Sequence, residues 1–340
     1  MAVLFLAATG ALGGWLIRTR LSRRRASLAP TTMYLAPTTW EAVWSGLAPV
    51  QAQAPVSDGA VVDGDEASGT RESDLDGEVP PETTSMLAVP TVTLLGIVGV
   101  TGCEIPQSRR RRLTELMAYL ATHRDRPRSS EEIRAAIWGA GPDGEGRVVT
   151  AESLKQALSR LRSYLGPEYL ADAVGQGGYQ LAPEVVCDWT RFEAAVAAAH
   201  QRRGRPEEAQ GLRLALELVQ GPPFAGVPTG SYSWAFAEHL ASTMEGAISS
   251  AAHRFVEVGL AHGSLDAAAW AAGRGLRAVP TDEVLLADCI TIAGRRGSRA
   301  AVDRAWRDAQ TVLGSQARYG PVGDAWRAAD AHLRSAARTV

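Results

Sequence analysis

The sequence predicts a mainly α-helical protein: a winged helix-turn-helix domain followed by tetratricopeptide-like α-helical repeats, preceded by one transmembrane helix and a disordered linker. Three observations carry this expectation. Thr150 to Leu181 reads as a helix with a single apolar stripe running directly into a glycine-rich hairpin. Gly263 and Gly297 open similar segments 34 residues apart, and Met1 to Ile17 is uncharged but followed by a cluster of arginines. The boundaries that follow are 1–21 for the span, 22–89 for a juxtamembrane and acidic linker, 90–183 for the winged helix and 187–340 for the repeats.

The N-terminus asks for an apolar solvent. The charge-free run ends at Arg18, Arg20, Arg23, Arg24 and Arg25, which by the positive-inside bias puts the C-terminal side in the cytoplasm. Seventeen residues at about 1.5 Å each reach roughly 26 Å against a hydrocarbon core of about 30 Å, and Thr19 and Leu21 with snorkelling arginines extend the span. A signal peptide would carry its charges before the apolar stretch rather than after it. A mispredicted or truncated start is the remaining alternative. Gly10 and Gly14 have the GxxxG spacing that pairs membrane helices, a pattern short apolar segments also contain by chance.

From Ala26 to Val89 the chain has little to bury. Asp58, Asp63, Asp65, Glu66, Glu72, Asp74, Asp76, Glu78 and Glu82 face Arg71 alone, with Gly and Pro scattered among them, which predicts a disordered acidic tether. It reads first as a solubilising spacer and second as a weak competitor for a basic surface. Trp40 and Trp44 are the exception: their spacing puts both on one helical face, and near a membrane they are expected at the interface.

Val92 to Val100, β-branched and punctuated by glycine, predicts a strand or a small sheet. Arg109 to Thr122 places Leu113, Leu116, Met117 and Leu120 at helical spacing, and Ser129 with Glu132 forms a capping box opening a second helix through Ile133, Ile137 and Trp138. In the third helix, Leu154, Leu158, Leu161 and Leu165 fall in one narrow sector at about 100° per residue, with Glu152, Gln156, Ser159 and Ser163 opposite. Thr150 is placed to cap its start and Gly166-Pro167 to end it. Leu170 to Val174 and Tyr179 to Leu181 then flank Gly175-Gln176-Gly177-Gly178, whose glycines permit the positive φ of a tight turn, making a wing.

These residues resemble a known family. The strand run LLGIVGVTG, the helix RRRRLTELMAYLA, the LSRLR of Leu158 to Arg162 and the GGYQL of Gly177 to Leu181 are similar to the OmpR-type winged helix of SARP-type bacterial transcriptional activators. CDWTRFEAAV, from Cys187, resembles the start of their bacterial transcriptional activator domain. The resemblance implies a regulator that binds promoter DNA, with tetratricopeptide-like repeats for dimerisation, effector sensing or polymerase contact. It keeps Gly221, Pro222 and Trp234, but the arginine usual a few residues after the tryptophan is replaced by Glu238-His239, which leaves open the contact it makes in relatives. The run PTDE at Pro280 to Glu283 resembles the family's proline-acid signature between repeats.

The repeat is legible without the family. Besides Gly263 and Gly297, Gly204 begins a similar turn, and five residues past each glycine stand Ala209, Ala268 and Val302, small positions where paired helices approach closely. Pro206 in a first helical turn and Pro280 after a helix end are placed as helix punctuation.

On the third helix, Arg160 and Gln156 have side chains that read guanine and adenine edges in a major groove. Ser153, Ser159 and Ser163 are short donors for phosphate or base, Lys155 and Arg162 suit phosphates, and Gln176 at the wing tip suits a minor-groove or phosphate contact. Any one of them alone is an ordinary solvated side chain; the hairpin that follows and the family resemblance make the set a candidate interface. Arg109 to Arg112 sit on the positive end of a helix dipole, which calls for an anion nearby, DNA phosphate or the acidic tether. The unit from Val92 to Pro183 holds twelve basic against ten acidic residues, a net of +2, so binding as a homodimer or with a partner is expected.

Charge and composition exclude other classes. The net charge of −2, from 35 basic and 37 acidic residues, averages an acidic tether with arginine-rich ends. Cys103, Cys187 and Cys289 form no CxxC pair, the histidines show no ligand spacing, and there is no phosphate-binding GxxxxGK[ST] loop or GxSxG elbow. No cofactor, metal site or catalytic constellation is expected. The partners expected are double-stranded DNA, the membrane, a second copy of the chain, and RNA polymerase or another protein through the repeats. The alternative is a membrane-anchored interaction scaffold whose winged helix does not bind DNA.

Overall fold

The computed structural model describes residues 35–36, 38–45, 89–138, 150–171 and 177–339. The expected membrane helix at 1–21, the acidic run from Asp58 to Glu82 and Gln176 at the wing tip lie outside the described residues. Among the described residues no helix is long and apolar enough to cross a membrane.

The first element corrects the linker expectation over part of its length. α1 (Trp40–Ser45) is a short helix capped by Thr39, whose Oγ1 accepts the N–H of Ala42 at 3.3 Å. Its tryptophans share a face, as their spacing requires, with ring centroids 5.9 Å apart. That face does not meet a membrane: Trp40 lies 3.8 Å from the ring of His262 and Trp44 packs edge-on against Phe255 at 5.6 Å. Phe255 belongs to the repeats and sits in the main core, and burying two indoles against it outweighs leaving them to water.

The next unit, expected as a winged helix, is a small sheet with three helices. β1 (Thr91–Thr93) and β2 (Gly99–Thr101) pair antiparallel, with Val92 opposite Val100. α2 (Gln107–Thr122) begins two residues before the expected arginine and buries Leu113, Leu116, Met117 and Leu120. α3 (Ser130–Trp138) carries the capping box: Ser129 N–H donates to Glu132 Oε2 at 2.9 Å and Glu132 N–H to Ser129 Oγ at 3.2 Å. The Arg126 guanidinium beside it, with that N–H, holds the Glu132 carboxyl down to about 2. α4 (Ala151–Leu165) is capped by Thr150, which accepts the Ser153 N–H, and ends at Gly166 with φ +104°. It buries Leu154, Leu158, Leu161 and Leu165. Antiparallel bridges join Leu170 to Leu181 and Arg128 to Tyr179, at the base of the segment expected as the wing.

The sheet does not stop at Pro183. β3 (Val186–Cys187) pairs parallel with β1, Val92 opposite Cys187, giving the order β2-β1-β3. The strand that completes this sheet thus leads straight into the first helix of the repeats, α5 (Asp188–Gln201).

Three helix pairs follow: α5 with α6 (Pro206–Glu217), then, after the short α7 (Ser233–Ala237), α8 (Leu240–Ala261) with α9 (Leu265–Ala278), and α10 (Glu283–Arg295) with α11 (Arg299–Leu313). A 3-10 turn at Gly314–Arg318 leads to α12 (Gly320–Thr339). Within each pair the turn is made by Gly204, Gly263 or Gly297 at φ +79°, +70° and +71°, the left-handed region a residue with a Cβ enters at a cost. Ala209, Ala268 and Val302, the small positions five residues on, are fully buried. Asp282 and Ser298 cap α10 and α11. At Gly275 a Cβ would lie 2.8 Å from that of Ala252, so the helices approach closer than any larger residue allows.

Asp188 holds the two units together. It is 8% exposed, and its carboxylate accepts the backbone N–H groups of Leu94 at 2.8 and 2.9 Å, Leu95 at 2.9 Å and Trp189 at 2.7 Å. Replacing it with alanine leaves those donors buried without acceptors, at about 1 to 3 kcal/mol for each group. Asp188→Ala is therefore expected to lower the unfolding free energy by about 3 kcal/mol or more in urea titration; a change within about 0.5 kcal/mol contradicts the assignment.

Candidate nucleic-acid interface

The outward side of α4 follows from its inward side. Because the four leucines are in the core, the helix cannot rotate, and Ser153, Lys155, Gln156, Ser159, Arg160 and Ser163 are exposed. The side chains of Lys155, Gln156, Ser159 and Arg160 have no hydrogen-bonding or ionic partner among the described residues. The others are engaged. The Ser153 hydroxyl lies 3.0 Å from that of Thr150 at the cap, and Ser163 Oγ donates to the Arg160 carbonyl at 2.8 Å. Arg162 is half-buried on the flank of the leucine stripe, and its Nε is shielded from solvent.

The base of the wing is held to the helices by close backbone approach. A Cβ on Gly178 would lie 2.4 Å from the carbonyl oxygen of Arg128, so only glycine permits the pair of backbone hydrogen bonds between Arg128 and Tyr179, at 2.8 and 2.9 Å. Gln180 Nε2 donates to the Arg124 carbonyl at 2.7 Å, and Arg124 in turn donates to that of Val185 at 2.6 Å.

The arginine run at the start of α2 is used within the protein more than the sequence suggests. Arg109 donates to the Tyr164 hydroxyl at 3.3 Å, tying α2 to α4. Arg111 donates to Ser231 Oγ at 2.7 and 3.2 Å. Arg112 bonds Glu115 and the Ile137 carbonyl, each at 3.2 Å, and lies over the Trp138 ring at 5.1 Å. The anion called for at this helix end is, for Arg112, the buried carboxylate of Glu115.

Glu115 is also the centre of the second junction. Only 2% exposed, it accepts the backbone N–H of Tyr232 at 2.7 Å, and burial raises its pKa against the opposing pull of that N–H and of Arg112. Tyr232 sits in the segment from Val219 to His239, which packs on the unit of β1, β2 and α2. In it, Gln220, Phe224 and Ala225 donate to the carbonyls of Leu95, Leu94 and Gly96 at 2.7, 2.9 and 2.9 Å. Trp234 meets Tyr119 edge-on at 5.2 Å, and Glu238 lies 2.9 Å from His123 Nε2. Glu238, which stands where relatives are expected to carry arginine, thus binds α2's C-terminal cap. Phe224, Tyr232 and His239 take φ of +57°, +58° and +55°, each costing about 1 kcal/mol or more; such strain persists only where surrounding contacts over-determine it.

No local sequence pattern announced Asp188 or Glu115, since their partners lie 94 and 117 residues away in sequence. Of the cysteines, Cys187 and Cys289 have thiols pushed up to about 11 by burial and are protonated at neutral pH.

Comparison with known proteins agrees with this geometry. No curated protein matches the chain. Among solved structures it is similar to Mycobacterium tuberculosis EmbR, determined in complex with a low affinity phosphopeptide. The TM-score is 0.52 at 24% sequence identity, over 72% of this chain and 65% of that one, a likeness of fold that spans about two-thirds of EmbR. The family model that matches is the bacterial transcriptional activator domain, over residues 187–319, from β3 through the helix pairs to the turn after α11.

Proposed function

We propose that this chain is a bacterial transcription regulator that binds promoter DNA through α4, with the helical repeats serving dimerisation or contact with RNA polymerase or another protein. The observation that carries the reading is the outward face of α4. Lys155, Gln156, Ser159 and Arg160 stand on a helix immobilised by four buried leucines, their side chains with no partner among the described residues. A guanidinium and a carboxamide one turn apart match the donor and acceptor edges of guanine and adenine in a major groove, and Lys155 suits a phosphate. The same reading assigns phosphate contacts to Ser153, Arg162 and Ser163, and a wing contact to Gln176. The match to the bacterial transcriptional activator domain and the EmbR-like fold support the same reading.

Dimeric binding is part of the proposal. A winged-helix unit with a net charge of +2 neutralises few phosphates, and several of its arginines are spent on intramolecular bonds. Two copies double the contacts. The apolar segment at 1–21 tethers the regulator to the membrane, with the folded domains in the cytoplasm.

Gel-shift titration of a promoter fragment tests the interface. Arg160→Ala with Gln156→Ala is expected to abolish preference over random competitor, about 1 to 3 kcal/mol per base contact. Lys155→Ala weakens binding to all sequences and lowers the salt slope by about 1. If the double variant binds as the native chain does, or neither binds, the winged helix is part of an interaction scaffold. Membrane attachment is read by fractionation and blotting against the C-terminus: the full chain is expected in the membrane fraction and a chain lacking residues 1–21 in the soluble one. Recovery of both in the same fraction contradicts the tether.

A further inference from the structure

Leu35 to Ser45 sits on the repeats the way a bound peptide sits on a receptor. α1 is too short to hold helical form alone, so its helix exists by virtue of docking. It presents Trp40, Val43 and Trp44, at i, i+3 and i+4, the spacing of anchors on one face of a helix laid in a groove. Val43 and Leu35 are 3% and 6% exposed, whereas Glu41 and Ala42 on the other side face solvent. The groove has matching features. Phe255 receives Trp44 edge-on, and the exposed His262 ring stacks on Trp40. Gly211 leaves room for Leu35: a Cβ there would lie 3.0 Å from Leu35 Cδ1. Polar contacts bracket the helix, with Arg213 donating to the Val43 carbonyl at 3.2 Å and the Thr38 N–H to Glu207 at 3.4 Å. Trp44 Nε1 is buried without a hydrogen-bond partner among the described residues, so the resident helix leaves one donor unsatisfied.

We propose that this groove, between α6 and the C-terminal end of α8, is a recognition site of the repeats for a short amphipathic helix bearing two tryptophans one turn apart. Leu35–Ser45 is its internal ligand, so a partner protein that offers a helix of this kind binds by displacing it. The site is separate from α4, and the inference stands whether or not α4 binds DNA. Residues 46–88 connect the ligand to β1 by a long stretch of chain, which lets the ligand leave the groove without disturbing the winged helix. Covalent attachment through a connection of this length gives an effective concentration on the order of 1 mM, so a peptide with a dissociation constant near 100 μM competes about tenfold less well against the occupied groove than against an empty one.

The test uses a fluorescein-labelled peptide of residues 33–47 and the full-length chain, read by anisotropy. The variant Trp40→Ala with Trp44→Ala, whose own ligand is disabled, is expected to bind the peptide about tenfold more tightly than the native chain. A peptide carrying the same two substitutions should not bind, and adding His262→Ala to the chain variant should weaken binding. Equal binding by native chain and variant, equal binding of the substituted peptide, or no binding to a variant with native circular dichroism and melting temperature overturns the proposal. Should the variant not fold, the native chain is cut at a protease site engineered between Asp58 and Glu82. The labelled peptide then exchanges into the cut chain and not the intact one, and failure to enter the cut chain overturns the proposal.

Discussion

Two buried carboxylates, at Asp188 and Glu115, make the 91–183 unit and the first helix pair one body. Each is nearly free of solvent and satisfied by backbone N–H groups from the other unit: Leu94 and Leu95 for Asp188, Tyr232 for Glu115. A buried carboxylate is costly unless its lone pairs are filled, and here the filling is done across the junction. Neither unit can separate without leaving a charge and several donors stranded. The parallel pairing of β1 with β3 and the loop from Val219 to His239 add backbone hydrogen bonds to the same seam.

This constraint shapes what the repeats can do. A hinge between the 91–183 unit and the helix pairs would need a polar, weakly packed boundary, whereas this one contains Tyr119, Trp234, Phe224 and Leu94 in a single core. α4 therefore moves with the helix pairs as part of the same body. The strained loop residues Phe224, Tyr232 and His239 fit this picture, because backbone strain survives only where neighbouring bonds hold it. The last helices have a core of their own, built from α10, α11 and α12 with Trp306 against Trp326, and stand apart from the seam.

How much was legible in the sequence depended on the range of the interaction. α4 could be read almost residue by residue, because its stripe, its Thr150 cap and its Gly166 stop are all local. The Ser129–Glu132 capping box, the glycine turns at 204, 263 and 297 and the small residues beyond them were equally plain, since each reports on neighbours within a turn or two. The long-range contacts were not legible. Asp188 looked like one residue of a family motif, Arg112 called for an anion expected from DNA or the acidic tether rather than from Glu115, and Trp40 and Trp44 looked like residues of a membrane interface, because an apolar helical face looks the same whatever apolar surface covers it. On α4 the periodicity separates the buried leucines from the exposed face, and Arg162, on the margin of the stripe, is half-buried.

The junction is most directly tested by native-state hydrogen exchange. If the 91–183 unit and the repeats are one body, the amides of Leu94, Leu95 and Tyr232 exchange only with the global opening free energy shown by the slowest amides of α8, such as Ile248 and Phe255. Exchange of the 91–187 amides through a lower-energy opening, while α8 stays protected, would mean that the two units open independently and would contradict the account.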